Sequence, residues 1–155
     1  MRTTLFLRCL LLTSNQFVAV ALRTGKYCFA GCDLGINYVR FNDTGAASGK
    51  TASCQSQLRA ASLYLCIDEY CGDGGKEEWL RGTNETCRRL ANTSMPPYSI
   101  VTEYGPDARA ALRRLDADEA MVQPLLGEVV LLDEPFFERA FSTLVWLALP
   151  FSSVI

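Results

Sequence analysis

Cysteines constrain this chain of 155 residues more than any other feature, because it contains seven of them. Cys9 lies in an apolar N-terminal segment, and residues 1–21 are predicted to be a secretory signal peptide that ends in the small-x-small pattern Ala19-Val20-Ala21. Cleavage there removes Cys9 and leaves an even number of cysteines, as expected for full pairing in an oxidising compartment. The remaining cysteines are Cys28, Cys32, Cys54, Cys66, Cys71 and Cys87.

Disulfide bonds are the favoured use of these thiols. Zinc binding is the alternative, but the spacings C-x3-C and C-x4-C differ from the paired C-x2-C of zinc ribbons. The sequence does not select one disulfide pairing among those that are possible. Cys28 and Cys32 are four residues apart, so on a helix they would share one face and could each bridge a different neighbour.

Three N-x-S/T sequons begin at Asn42, Asn84 and Asn92. Behind a signal peptide they indicate an N-glycosylated protein of the secretory pathway. The formal net charge of −2 argues against nucleic-acid binding, which requires a basic face. The chain has no histidine, which excludes Ser-His-Asp and Cys-His catalysis, His-ligated zinc and His-ligated haem.

The apolar pattern predicts a mainly α fold: a small disulfide-rich helical extracellular domain with irregular loops, followed by one or two further helices. Helices are predicted over residues 54–71 and 77–90, with Leu80, Cys87 and Leu90 inward in the second. Residues 40–53 have loop composition. Residues 95–101 are predicted to be extended, because a proline disfavours helix at the residue before it.

The chain is predicted to have four parts. The signal peptide is followed by a six-cysteine glycosylated helical domain at 22–100. Residues 101–140 comprise a helix at 106–118 and a proline-bounded connector at 124–135, and another helix is predicted at 136–149. Residues 141–155 form an apolar segment that is shorter than a membrane span of about 20 residues, so we interpret it as the incomplete start of a membrane region.

Two groups of side chains are candidates for chemistry. Carboxylates cluster at Asp68, Glu69 and Asp73, followed by Glu77 and Glu78. They suit a weak cation site or an acid–base pair, but the solvated faces of two helices are the favoured interpretation. The aromatic residues Tyr64, Tyr70 and Trp79 suit a ligand surface, although core packing is favoured. The sequence indicates no catalytic, cofactor-binding or metal-binding residue.

Several blocks together carry a family resemblance. They are Cys28-Phe29-Ala30-Gly31-Cys32, Cys54, Ser62-Leu63-Tyr64-Leu65-Cys66, Tyr70-Cys71, Asn84-Glu85-Thr86-Cys87, Pro96-Pro97-Tyr98-Ser99-Ile100, Leu112-Arg113-Arg114-Leu115 and Phe136-Phe137-Glu138-Arg139-Ala140-Phe141 with Thr143-Leu144. This series resembles the extracellular N-terminal region of fungal ferric-chelate reductases, which are plasma-membrane metalloreductases. The resemblance covers about residues 26–146.

The resemblance implies a larger enzyme of iron uptake, in which electrons pass from NADPH through FAD and haem to Fe(III) or Cu(II) outside the cell. This chain would carry none of those cofactors and would be inactive alone, because no family catalytic residue matches a position here. It would lie outside the plasma membrane, reach the membrane only through missing downstream helices, and meet ferric or cupric chelates, with Asp68, Glu69 and Asp73 as an acidic approach. A truncated gene model is then expected.

The alternative is a free-standing secreted cysteine-rich glycoprotein that acts as a binding or cell-wall module. It would share the signal peptide, the bridges and the glycans, and it would have no membrane part. A secreted hydrolase that uses a carboxylate pair has the least support in the sequence.

Overall fold

The computed structural model describes residues 25–45, 47 and 49–148. The α-helices in these residues are α1 Lys26–Ile36, α2 Gly49–Gln55, α3 Gln57–Tyr70, α4 Lys76–Ala91, α5 Pro106–Ala110, α6 Ala117–Met121 and α7 Glu134–Ala148. Two parallel strand pairs are β1 Arg40–Phe41 with β3 Leu125–Leu126, and β2 Arg113–Leu115 with β4 Val130–Leu132. Short 3-10 turns cover Asn42–Thr44 and Tyr98–Val101. The expected fold class, a small helical domain rich in disulfides, is confirmed.

Parts of the sequence-based organisation fall outside this description. The predicted signal peptide at 1–21 and residues 149–155 of the apolar segment lie outside the described residues. None of the described helices is long and apolar enough to cross a membrane.

Helix α3 forms the centre of the fold, and its residues from Arg59 to Ile67 are buried all round. Its first turn is capped by Ser56, whose hydroxyl oxygen accepts the N–H of Arg59 at 2.9 Å and whose hydroxyl donates to Asp43 at 2.7 Å. The same Asp43 carboxylate accepts the N–H of Leu58. Ser56 has extended backbone angles, so α2 and α3 are separate helices. The prediction of one helix over 54–71 was wrong at this residue, because a serine at an N-cap ends one helix and begins the next.

One hydrophobic core extends from α1 to α7 and includes β4, whose three residues are all buried. The Ser62 hydroxyl oxygen of α3 accepts the N–H of Val130 at 3.0 Å, and the Tyr70 hydroxyl donates to the carbonyl of Leu132 at 2.7 Å. These bonds satisfy strand groups that have no second strand beside them on this side. Residues 129–132 of the predicted connector are therefore part of the core.

Other local predictions also need correction. The helix predicted at 106–118 ends at Ala110, because residues 113–115 pair with β4 as a strand. This pairing buries Leu115 in the core. Leu90 was predicted to face inward and is 57% exposed in the last turn of α4. Residues 40–53 contain β1 and most of α2 instead of a continuous loop. Residues 98–101 form a 3-10 turn instead of continuing the extended segment after Pro97.

Two glycines allow α1 to approach its neighbours closely. A Cβ at Gly31 would lie 3.2 Å from Cα of Phe141 in α7, and a Cβ at Gly35 would overlap a methyl group of the fully buried Leu132. Neither glycine has a positive φ, so the requirement at both positions is for space.

Replacing Gly35 by alanine is expected to destabilise the domain, although alanine favours helix by about 1 kcal/mol. Overlap with Leu132 in a closed core should outweigh this gain and give a net loss of about 1–2 kcal/mol. Gly82 in α4 is the matched control, because no atom lies within 4 Å of a Cβ built there. Gly82→Ala should stabilise the domain, and the two variants are compared by urea unfolding. A stabilising Gly35→Ala would contradict the close packing of α1.

Candidate functional site

The described cysteines form three disulfides. Cys28–Cys71 and Cys32–Cys66 join α1 to α3 and to the residue that follows it, and Cys54–Cys87 joins α2 to α4. Cys28 and Cys32 do share one helix face, as their spacing predicted. Their partners belong to one neighbouring segment instead of two, so these bridges form a ladder of two rungs.

Two of the bridges are buried at both cysteines, and the third is buried at Cys28. Of the six cysteines, only Cys71 is partly exposed, and the others are buried in the core. A thiol or disulfide takes part in exchange only where another thiolate can reach it. The arrangement therefore suits structural crosslinks of a helical core.

The acidic cluster predicted around α3 is paired with basic side chains. Asp68 contacts Lys76 at 3.3 Å and Arg109 at 3.0 Å, and its Oδ1 accepts the hydroxyl of Tyr98. Glu69 pairs with Arg114 at 3.1 Å, and Asp73 pairs with Lys76 at 3.2 Å. These three carboxylates thus face three cations. The other two predicted members, Glu77 and Glu78, are exposed in the first turn of α4. In the described part of the chain, no group of three or more metal-ligating side chains occurs.

The pKa shifts of two members of this network, Lys76 and Tyr98, agree with these contacts. Desolvation opposes the charged form of Lys76, but hydrogen bonds to Tyr98 and Asp73 and the charge of Asp68 raise the pKa of Lys76 above its ordinary value. Burial and the bond to Asp68 raise the pKa of Tyr98. Both groups therefore stay protonated near neutral pH. The geometry favours the structural interpretation of these carboxylates over an acid–base pair.

Of the three aromatic residues, Tyr64 is buried in the core, and the partly buried Tyr70 and Trp79 pack against it, which agrees with the favoured interpretation. Burial raises the pKa of Tyr64 to about 12, and its hydroxyl donates to the Pro96 carbonyl at 2.7 Å. The ring of Tyr70 stacks on Phe137 with 4.4 Å between centroids. Trp79 packs against Phe29 at 5.7 Å.

Sequence reasoning missed Arg59, the one buried charged residue among those described. It is 6% exposed, pairs with Asp33 at 2.5 Å and donates to Asn37 at 2.8 Å. Its Nε is buried without a hydrogen-bond partner in the described residues. The only signal in the sequence was one arginine in an otherwise apolar stretch of α3, which also fits a solvent-facing position.

The three sequon asparagines differ in accessibility. Asn42 is exposed at the start of a 3-10 turn, and Asn92 is exposed in a left-handed conformation after α4, with φ 49°. Asn84 is half-buried inside α4, and its side-chain oxygen accepts the N–H of Met95 at 2.9 Å. Asn42 and Asn92 are thus the better presented acceptors for a glycan.

Two surface cavities lie near these elements. One of about 420 Å³ borders β1, the following turn and α2, and Asn42 and Arg59 both line it. The other, of about 200 Å³, lies between α1, α6 and α7 and is mostly apolar. Its rim includes the exposed side chains of Tyr38 and Met121.

No family model, curated protein or solved structure matches this chain. The resemblance of its cysteine blocks to ferric-chelate reductases therefore stays a prediction. The fold itself defines a small helical domain that is closed by three disulfides and presents sequon asparagines on its surface.

Proposed function

We propose that this chain is a disulfide-stapled, N-glycosylated extracellular domain and that it forms the outer N-terminal part of a ferric/cupric-chelate reductase. The observation that carries the first half is the bridging of all six cysteines that follow the predicted signal peptide. Three buried bridges in one small domain are typical of proteins that fold in an oxidising compartment. The second half is supported by the cysteine blocks that resemble that family.

In such an enzyme the domain would cover the outer end of the electron-transfer path. Electrons from NADPH would pass through FAD and haem in other parts of the protein, and ferric or cupric chelates would be reduced beside this domain. Because Asp68, Glu69 and Asp73 are neutralised by Lys76, Arg109 and Arg114, we propose that the domain limits access of chelates by its shape. Charge attraction by this cluster would be weak.

The oxidised state of the cysteines gives a direct prediction. When the chain is secreted with its own leader from a eukaryotic host, an alkylating reagent should add nothing to the unfolded, unreduced protein. After reduction, all six cysteines should be alkylated, because each lies in a bridge. Intact mass spectrometry measures both states. Alkylation before reduction would contradict the secretory assignment.

The reductase assignment is tested in the source organism. Deletion of the gene should lower the reduction of ferric chelates at the cell surface, and an antibody against α4 should detect a membrane-bound product longer than 155 residues. Unchanged reduction, with a product of this chain's own size in the medium, would overturn the assignment.

That second outcome would support a free-standing secreted binding module. One observation favours this candidate: Tyr38, Met121 and Val122 are large apolar side chains that remain exposed, two of them beside the apolar cavity between α1, α6 and α7. Exposed apolar patches commonly mark contacts with other molecules.

A further inference from the structure

The cavity of about 420 Å³ beside Asn42 is lined mostly by small and polar residues. Small residues such as Gly45, Ala47 and Ala52 leave the space open, and hydroxyl and amide groups lie at its edges. Asn42 is itself a lining residue, so a sugar attached to its side chain would begin at the cavity wall.

The attachment atom of Asn42 lies against a glycine. A Cβ built on Gly127 would be 2.8 Å from Nδ2 of Asn42. Gly127 has no positive φ, so the backbone conformation does not require glycine there. The missing side chain instead lets the Asn42 amide pack against the Gly127 backbone, so a glycan bonded to Nδ2 would extend from the other side of this nitrogen.

Two side chains at the cavity are suited to a sugar. Leu125 is an apolar residue that is 64% exposed, and it lines the cavity beside Arg40, its partner in the β1–β3 pair. Within the described residues, the guanidinium of Arg40 makes no hydrogen bond or ion pair. An N-acetylglucosamine ring offers an apolar face to the leucine and oxygen acceptors to the guanidinium.

We propose that the Asn42 glycan is built into the fold, with its first N-acetylglucosamine seated in this cavity against Leu125 and Arg40. The inference rests on the proposed function, because only a chain that enters the secretory pathway acquires this glycan. The glycan at Asn92 differs, since that residue projects from the end of α4 in an exposed left-handed conformation.

The test compares glycan removal from the folded secreted protein at two sites. Peptide-N-glycosidase should release the Asn42 glycan at least ten-fold more slowly than the Asn92 glycan, and Leu125→Ser should remove most of this protection. Site occupancy is mapped separately by mass spectrometry after denaturation. Equal native release rates at an occupied Asn42 and an occupied Asn92 would overturn the inference.

Whether Asn42 carries a glycan distinguishes a failure of this inference from a failure of the proposed function. A chain with all cysteines bridged and no glycan at Asn42 would overturn the inference alone. Free thiols together with the absence of all glycans would overturn the proposed function as well.

Thermal stability provides a second, independent readout. Thr44→Ala removes the Asn42 sequon and keeps the asparagine, whereas Thr44→Ser retains a sequon and is the matched control. The alanine variant should lower Tm by about 4 °C, equivalent to roughly 1 kcal/mol in a domain of this size, and the serine variant should not. Ser94→Ala removes the Asn92 sequon and an exposed hydrogen bond from Arg88, and it should lower Tm by clearly less than Thr44→Ala. Equal effects at Thr44 and Ser94 would contradict a seated glycan.

Gly127→Ala tests the contact between the Asn42 amide and Gly127. Without the glycan, the side chain of Asn42 can move away from a new methyl group, so the substitution should be nearly neutral in the Thr44→Ala background. With the glycan seated, it should lower Tm measurably. The same Tm change in both backgrounds would show that the glycan does not hold the Asn42 amide against Gly127.

Discussion

Removing both bridges of α1 is expected to destabilise the domain by more than the two single removals combined. The Cys28–Cys71 and Cys32–Cys66 bridges close loops of 43 and 34 residues, each worth about 4 kcal/mol in the chain-entropy account. The Cys32–Cys66 bridge lies inside the loop that Cys28–Cys71 closes. When one bridge is removed, the remaining bridge therefore still holds the two ends of the lost loop close together. A single removal then frees a loop of only about ten residues and should cost about 3 kcal/mol. Losing both should cost about 7 kcal/mol.

Alanine pairs at each bridge, alone and together, test this coupling by urea unfolding under oxidising conditions. The Cys54–Cys87 bridge is the control, because it closes 33 residues and has no parallel partner. Its removal should cost about 4 kcal/mol, more than either rung of the ladder alone. If the double variant is already unfolded without denaturant, the three single-bridge variants provide the test, ranked by the free energy of unfolding that each one loses. A rung that costs more than the control would contradict the nested-loop argument.

Asp33→Ala is expected to destabilise the domain more than Arg59→Met, although the two residues form one ion pair. Without Asp33, the charge of Arg59 stays in the core with Asn37 as its remaining side-chain acceptor, at a cost of about 3 kcal/mol. Without Arg59, the Asp33 side chain is 29% exposed and water can solvate it. Methionine also fills the apolar volume, so this loss should be about 1 kcal/mol.

The free energy of unfolding at neutral pH measures this asymmetry. Arg113→Gln is the surface control, because Arg113 pairs with Glu119 and Glu128 while its side chain is 41% exposed. That substitution should change stability by less than about 1 kcal/mol. Equal losses in the free energy of unfolding for Asp33→Ala and Arg59→Met would show that the deeper burial of Arg59 does not make its partner the more important residue for stability.

The sequence predicted the long helices well and the short elements poorly. Helices α4 and α7 agree with the prediction to within a few residues, because each extends over several turns between residues that break helices. The helix expected over 106–118 fails at Arg113–Leu115, where pairing with β4 decides the conformation of three residues. Strands of two or three residues leave no periodic signal, since their hydrogen bonds join residues distant in the chain.

The candidate site shows the same division. The cysteines and sequons could be identified from single residues and their local spacing. The neutralisation of Asp68 could not, because Arg109 lies 41 positions away and reaches it only through the fold. The contact between Asn42 and Gly127 likewise depends on the pairing of β1 with β3, which brings the two turns together.

By itself, the sequence determined that this chain forms a small, mainly helical domain and that six of its seven cysteines lie between residues 28 and 87, because helical periodicity and cysteine spacing are properties of residues near one another in the chain. Only the tertiary structure decided which cysteines pair. A disulfide requires two Cα atoms within about 6 Å, and that proximity is set by the packing of α1 on α3 and of α2 on α4. Tertiary packing also buried Arg59 and placed a cavity beside Asn42.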